Sequence, residues 1–210
     1  MLSVERIVSL QDGQTRAWHL AGAAGETATA AGKGAEEEWL ALVTLQHRAN
    51  FELWHIEDEA RTPGATDAEL AKVKRRVDTT NQRRNDLAEE LDRCLLGWLE
   101  QQGLPDLEAP LNSESPGLMI DRLSILALKI YHTQEEAERG DAPAGHRERN
   151  RERLAILEEQ RADLANCLDS LWRETISGTR RFKLYRQLKM YNDPSLNPAI
   201  YRKGERTAGE

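Results

Sequence analysis

NSESPGLMIDRLSILALKIYH, residues 112–132, decides how the rest of the chain is read. Ser115 stands where an N-cap belongs, Pro116 takes the first helical position, and a long apolar run follows; together these mark a helix start. Leu118, Met119, Ile120, Leu123, Ile125, Leu126, Leu128 and Ile130 cover nearly every direction around that helix, as in a helix buried on most sides. Asp121, Arg122, Ser124, Lys129 and His132 are nevertheless set into it. A charge in such a helix must be paired or must line a wet cavity, because isolated burial is costly. The remaining helices should therefore wrap this one and supply its polar partners. The expectation is all-α: an antiparallel bundle of about five helices with a mostly buried central helix and a polar interior.

The 210 residues suffice for one domain with a sizeable core. Mean hydropathy is -0.69, and no apolar run approaches the roughly 20 residues that span a bilayer. The first twenty residues lack a continuous apolar stretch with a small-residue cleavage site, so no signal peptide is expected. Cys94 and Cys167 are far apart and without metal-site spacing, which suits a reducing cytoplasm. A net charge of -7 argues against general nucleic-acid binding. The expected location is cytoplasmic.

Residues 1–35 read as a flexible N-terminal segment, because an Ala/Gly/Thr-rich tract without periodicity fills much of it. Trp18 and His19 precede that tract, and an incidental contact of the tail is the expectation for them. Residues 36–201 read as a single helical-bundle domain, and 202–210 as a disordered tail. A first helix should run from about Glu36 to Arg61, with Leu42, Leu45, Ala49, Leu53, Ile56 and Ala60 as its core face. A second should begin at Thr66 or Asp67, where Thr66 and Glu69 have capping-box spacing, and stop near Gly103. After the central helix comes another over roughly His146–Ser177, whose leucine stripe is interrupted by Arg161. A last helix is expected over Thr179–Met190.

Several residue groups could carry chemistry. Glu57 and Asp58 lie one or two turns from Asn50 and Trp54, while Glu89 and Asp92 have the spacing that puts two carboxylates on one helix face. Four converging carboxylates would suit Mg²⁺ or Mn²⁺, as in all-α nucleotide pyrophosphohydrolases, although the first E-x-x-E motif of those enzymes is absent. Asn81, Arg84 and Asn85 break an apolar stripe, as Asp121 and His132 do in the central helix. Asp121 and His132 are roughly 16 Å apart along a helix and cannot form a dyad. Each needs a partner from another helix, with Arg84, Glu57 or Asp58 as candidates. Such interruptions suit a ligand site or a buried network that fixes helix register. Arg180, Arg181, Lys183, Arg186 and Lys189 form a basic stretch without an intervening acid, suited to an anion or to acidic neighbours.

Four segments carry a family resemblance: HRANFELWHIEDEAR at 47–61, VKRRVDTTNQRRND at 73–86, the central stretch at 112–132, and RRFKLYRQLKMYNDPSLNP at 180–198. They resemble an uncharacterised bacterial family of helical proteins, a domain of unknown function often encoded near glycosyltransferases of cell-surface polysaccharide loci. The resemblance implies a helical architecture and a glycan context, and brings no activity for any residue.

These observations lead to one principal expectation and two rivals. The principal one is a protein binding a small phosphate-bearing ligand, nucleotide or sugar-nucleotide-like, with a role in surface-glycan synthesis implied by the resemblance alone. Arg84, Arg122, Lys129, Arg186 and Lys189 would meet the anion, and Asn50, Trp54, Asn81 and Asn85 would line the site. Glu57, Asp58, Asp121 and His132 would orient polar groups or a metal, with Tyr185 or Tyr191 stacking on a ring. The first rival is a metal-dependent phosphoanhydride hydrolase using Glu57, Asp58, Glu89 and Asp92. The second is a non-catalytic scaffold or interaction protein, which would pair its polar interruptions internally; a homodimer is compatible with either.

Overall fold

The structure, a computed structural model, describes residues 2–21, 34–188 and 196. It contains α1 (Val4–Ala21), α2 (Ala35–Glu59), α3 (Asp67–Glu100), α4 (Pro116–Glu138) and α5 (His146–Ile176). Among the described residues there is no strand, only an isolated bridge between Leu111 and Arg181. The all-α, five-helix expectation is met. Helix α4 is the hub, since α1, α2, α3 and α5 all pack on it.

The helix starts follow local chemistry. Thr66 and Glu69 form the reciprocal capping box at α3. Ser115 caps α4 with Pro116 in its first turn. At the end of α5, Gly178 takes φ +75° and turns the chain out of the helix.

Three expectations need correction. The first concerns residues 1–35, read as flexible. Residues Val4–Ala21 instead form α1, which buries Val4, Ile7, Gln11, Thr15 and Trp18 at three- and four-residue steps. Two of those five are polar, which hid the stripe, and both find partners inside the bundle. Trp18 is only 2% exposed, so its contact is not incidental. The Ala/Gly tract lies outside the described residues.

The second concerns Thr179–Met190, read as a helix. From Arg180 to Leu188 the chain forms no helix and has only the bridge at Arg181. The Arg181 amide donates to the Pro110 carbonyl at 3.0 Å and the Asn112 amide to the Arg181 carbonyl at 2.7 Å. Phe182 fills the core. A helix here would stack like charges at i,i+3, Arg180 with Lys183 and Lys183 with Arg186. The expected count of five helices is thus reached with a different fifth member.

The third concerns the rotation of α2. Leu45 is exposed, whereas Val43, Gln46, His47 and Asn50 are buried. The polar line faces inward because α1 and α4 offer it hydrogen-bond partners. The apolar core lies beyond it, where Ile7, Trp39, Leu91, Leu95, Leu99, Ile120, Leu123, Leu168 and Phe182 close together. Arg161, the interruption in α5, reaches across this edge to the Asp12 carboxylate of α1 at 2.8 Å.

Candidate functional site

The polar centre is built around Asp121 on α4. Arg84 of α3 grips this carboxylate in a fork, Nε to Oδ1 at 2.8 Å and Nη2 to Oδ2 at 2.6 Å. From α2, the side-chain amides of Gln46 and Asn50 donate to Oδ1 at 2.5 and 2.9 Å. The bond to Asp121 pushes the Arg84 pKa further up, so the guanidinium stays charged. A buried carboxylate with a bidentate guanidinium and two amide donors is compensated.

From Asn50 the network runs on to α1. Asn50 donates to Ser124 Oγ at 2.9 Å, and Ser124 Oγ lies 2.7 Å from His47 Nδ1. His47 Nε2 lies 2.9 Å from Thr15 Oγ1, which itself donates to the Gln11 carbonyl at 2.8 Å. Thr15 spends its hydroxyl proton on that carbonyl, so His47 must donate from Nε2 and accept at Nδ1. Burial pushes the His47 pKa down to about 3, so this imidazole is neutral. The Gln11 amide in turn donates to the Ile120 carbonyl at 3.2 Å. The chain of bonds ties α3, α2, α4 and α1 together. Gln11, Thr15, Gln46 and His47 were not among the expected site residues; the signal for the last two was their place one turn before Asn50.

Asp92 belongs to a separate junction. The Ser115 hydroxyl donates to one of its oxygens, and the Gly117 amide to the other at 2.6 Å. Helices α3 and α4 touch here so closely that a Cβ on Gly117 would strike the Ala88 carbonyl and lie 2.9 Å from the Asp92 carboxylate. Burial pushes the Asp92 pKa up to about 6 against those two donors, with Glu89 adding to the rise. Asp92 therefore receives the start of α4.

The remaining expected residues are dispersed. Glu89 accepts from the Gln187 amide, while Glu57 and Asp58 flank Arg61. The four carboxylates of the hydrolase reading are thus held at different contacts. Among the described residues no three His, Cys, Asp or Glu side chains are placed to hold a metal ion. Arg122 is exposed and paired with Glu114, and Lys129 is exposed on the same side of α4, toward α5. Asn81 accepts from Arg84 Nη1 at 3.3 Å, and Asn85 lies half-buried one turn further on. Tyr185 and Arg186 are exposed on the irregular segment after α5. Lys189 and Tyr191 lie outside the described residues. Among the described residues, the expected cations Arg84, Arg122, Lys129 and Arg186 do not converge on one cavity.

Beside the network, a cavity of about 470 Å³ opens between α2, α3 and α4. Leu53, Trp54, Ile125 and Leu128 make its apolar wall, Asn50 and Arg84 bring it to the polar centre, and Glu57, Asp58 and Arg61 complete its lining. One face of Trp54 is covered by the His132 ring, with centroids 4.7 Å apart and planes within 8°. His132 thus stands behind the cavity wall. It also joins an aromatic cluster with His19, His55, Phe51 and Tyr131.

The fold and its centre define an all-α bundle held by a buried polar network, with an adjoining cavity of ligand size. The chain belongs to the family described as protein of unknown function (DUF4254), whose model matches residues 40–184. That span includes α3, α4, α5, nearly all of α2 and every residue lining the cavity, while α1 precedes it. No curated protein and no solved structure matches the chain. No described helix is long and apolar enough to cross a membrane.

Proposed function

We propose that this protein binds a small, ring-bearing, hydroxyl-rich molecule in the cavity between α2, α3 and α4, the sugar or nucleoside part of a sugar-nucleotide-like ligand. The observation that carries this reading is Trp54, braced on one face by His132 and lining the cavity beside Asn50, Glu57, Asp58 and Arg61. A braced indole offers a flat apolar platform, and carboxylates and an amide around it suit hydroxyl donors. The lining favours a ring over a phosphate. It holds two acids and two arginines, and Arg84 is already committed to Asp121 and Asn81. A phosphate would have Arg61 alone, in competition with Glu57 and Asp58.

A scaffold reading is favoured by one observation, the pairing of every charged group in the polar centre within the bundle. It gives the cavity no role.

The test is a titration with monosaccharides, nucleosides, nucleotides and sugar nucleotides, followed by tryptophan fluorescence and thermal unfolding. A ligand at about 100 times its dissociation constant adds roughly 2.7 kcal/mol to stability. A hit that is lost in Trp54→Ala, with the fold intact by circular dichroism, supports the cavity. A flat panel, or a hit indifferent to Trp54, transfers the case to the scaffold.

A further inference from the structure

Three of the protein's five histidines meet in one place, brought there by three helices. His19 of α1, His55 of α2 and His132 of α4 have ring centroids 4.9 Å (19–132), 5.3 Å (19–55) and 6.1 Å (55–132) apart. His19 also lies flat on Tyr131 at 4.2 Å. Two of the rings are anchored through Nδ1, His19 on the Thr15 carbonyl at 2.7 Å and His132 on Glu135 at 3.0 Å. Their Nε2 atoms are buried and have no hydrogen-bond partner among the described residues. In the neutral form an Nε2 that only accepts can stay unpaired at modest cost. Protonated, it becomes a buried N–H of a cation with nothing to donate to, the costlier case.

We infer that the three imidazoles form a proton-operated latch that holds the last turn of α1 against α2 and α4 when neutral and releases it when a second ring takes up a proton. Glu135 can support one imidazolium through His132 Nδ1. The other charges facing the cluster give little help to a second. On α2, Arg48 lies over Trp18 and Phe51 and repels, while Asp58 attracts but is shared with Arg61. Glu52 is engaged by Arg48 and Arg83, and Glu59 by Arg76, with Arg75 nearby on α3. Arg16 adds positive charge from α1 beside Tyr131. The pKa values of His55 and His132 are lowered by burial first, then for His55 by the neighbouring imidazoles.

The sign follows. Groups whose folded pKa lies below the unfolded value stabilise the closed form above about pH 6.5 and lose that contribution as pH falls. Each proton taken up only on opening raises the open population about tenfold per pH unit below that point.

The test is hydrogen exchange on the full chain between pH 7.5 and 5.5, corrected for intrinsic rates. Amides of residues 17–21 should lose protection about tenfold or more over that range, ahead of amides in the middle of α5. His19→Gln/His55→Gln/His132→Gln should abolish this pH dependence. Should that variant not fold, nitrogen-15 imidazole shifts of the unmodified protein read the same claim, with fewer than two of the three rings charged at pH 6. The latch is refuted if all three titrate near 6.5 with α1 in place. It is equally refuted if α1 and α5 lose protection together.

Discussion

Asp121 and Asp92 are both buried carboxylates that meet α4, yet the protein treats them oppositely. Asp121 is met by a guanidinium fork and two amides and sits 6% exposed as one half of an ion pair. Asp92, 2% exposed, has among the described residues only the Ser115 hydroxyl and the Gly117 amide, and burial holds its pKa up at about 6. Burial alone does not decide the state of an acid. A cation within hydrogen-bond reach compensates the first, while two neutral donors leave the second close to its titration near neutrality. The first contact locks three helices, and the second seats the start of one.

Breaking the first contact should be the largest effect. Arg84→Met strands the Asp121 charge and is expected to cost about 3–5 kcal/mol in urea unfolding, the range for a buried pair losing one partner. The second contact shows in pH dependence. Asp92 binds its proton more tightly folded than unfolded, so its contribution is full below about pH 4 and is lost as pH rises through about 6. Asp92→Asn removes that loss. The stability difference, variant minus unmodified protein, should grow by roughly 2–3 kcal/mol between pH 4 and pH 7.5. A difference that stays flat would mean that Ser115 and Gly117 hold the carboxylate near its ordinary value. The smallest effect belongs to Arg122, whose exposed pairing with Glu114 should be worth less than about 1 kcal/mol in Arg122→Ala.

Much of this was readable beforehand, for physical reasons that differ by element. Helices α3, α4 and α5 announce themselves through caps and through stripes that match their buried faces. Asp121 and Arg84 were legible because charges in an apolar stripe demand partners. Their mutual pairing was among the expected alternatives, whereas His132 found Glu135 on its own helix. Helix α1 was not legible, since Gln11 and Thr15 occupy core positions and only the bonds to Ile120 and His47 explain why. The turn of α2 was missed for the same reason, a polar line satisfied from outside the helix. The basic segment after Gly178 looked helical by spacing, and its repulsion and its pairing with Pro110 and Asn112 decided otherwise. The histidine cluster needs three helices to assemble and leaves no trace in local spacing.

On this account the polar heart of the bundle is a structural lock, and the cavity beside it is the proposed ligand site. A double-mutant cycle on Arg84→Met and Asp121→Leu, read by urea unfolding at pH 7, tests it most directly. The account predicts that each single variant is strongly destabilised and the double variant far less than their sum, with a coupling of about 2 kcal/mol or more. Coupling below about 0.5 kcal/mol, with single variants near the unmodified protein, would contradict it.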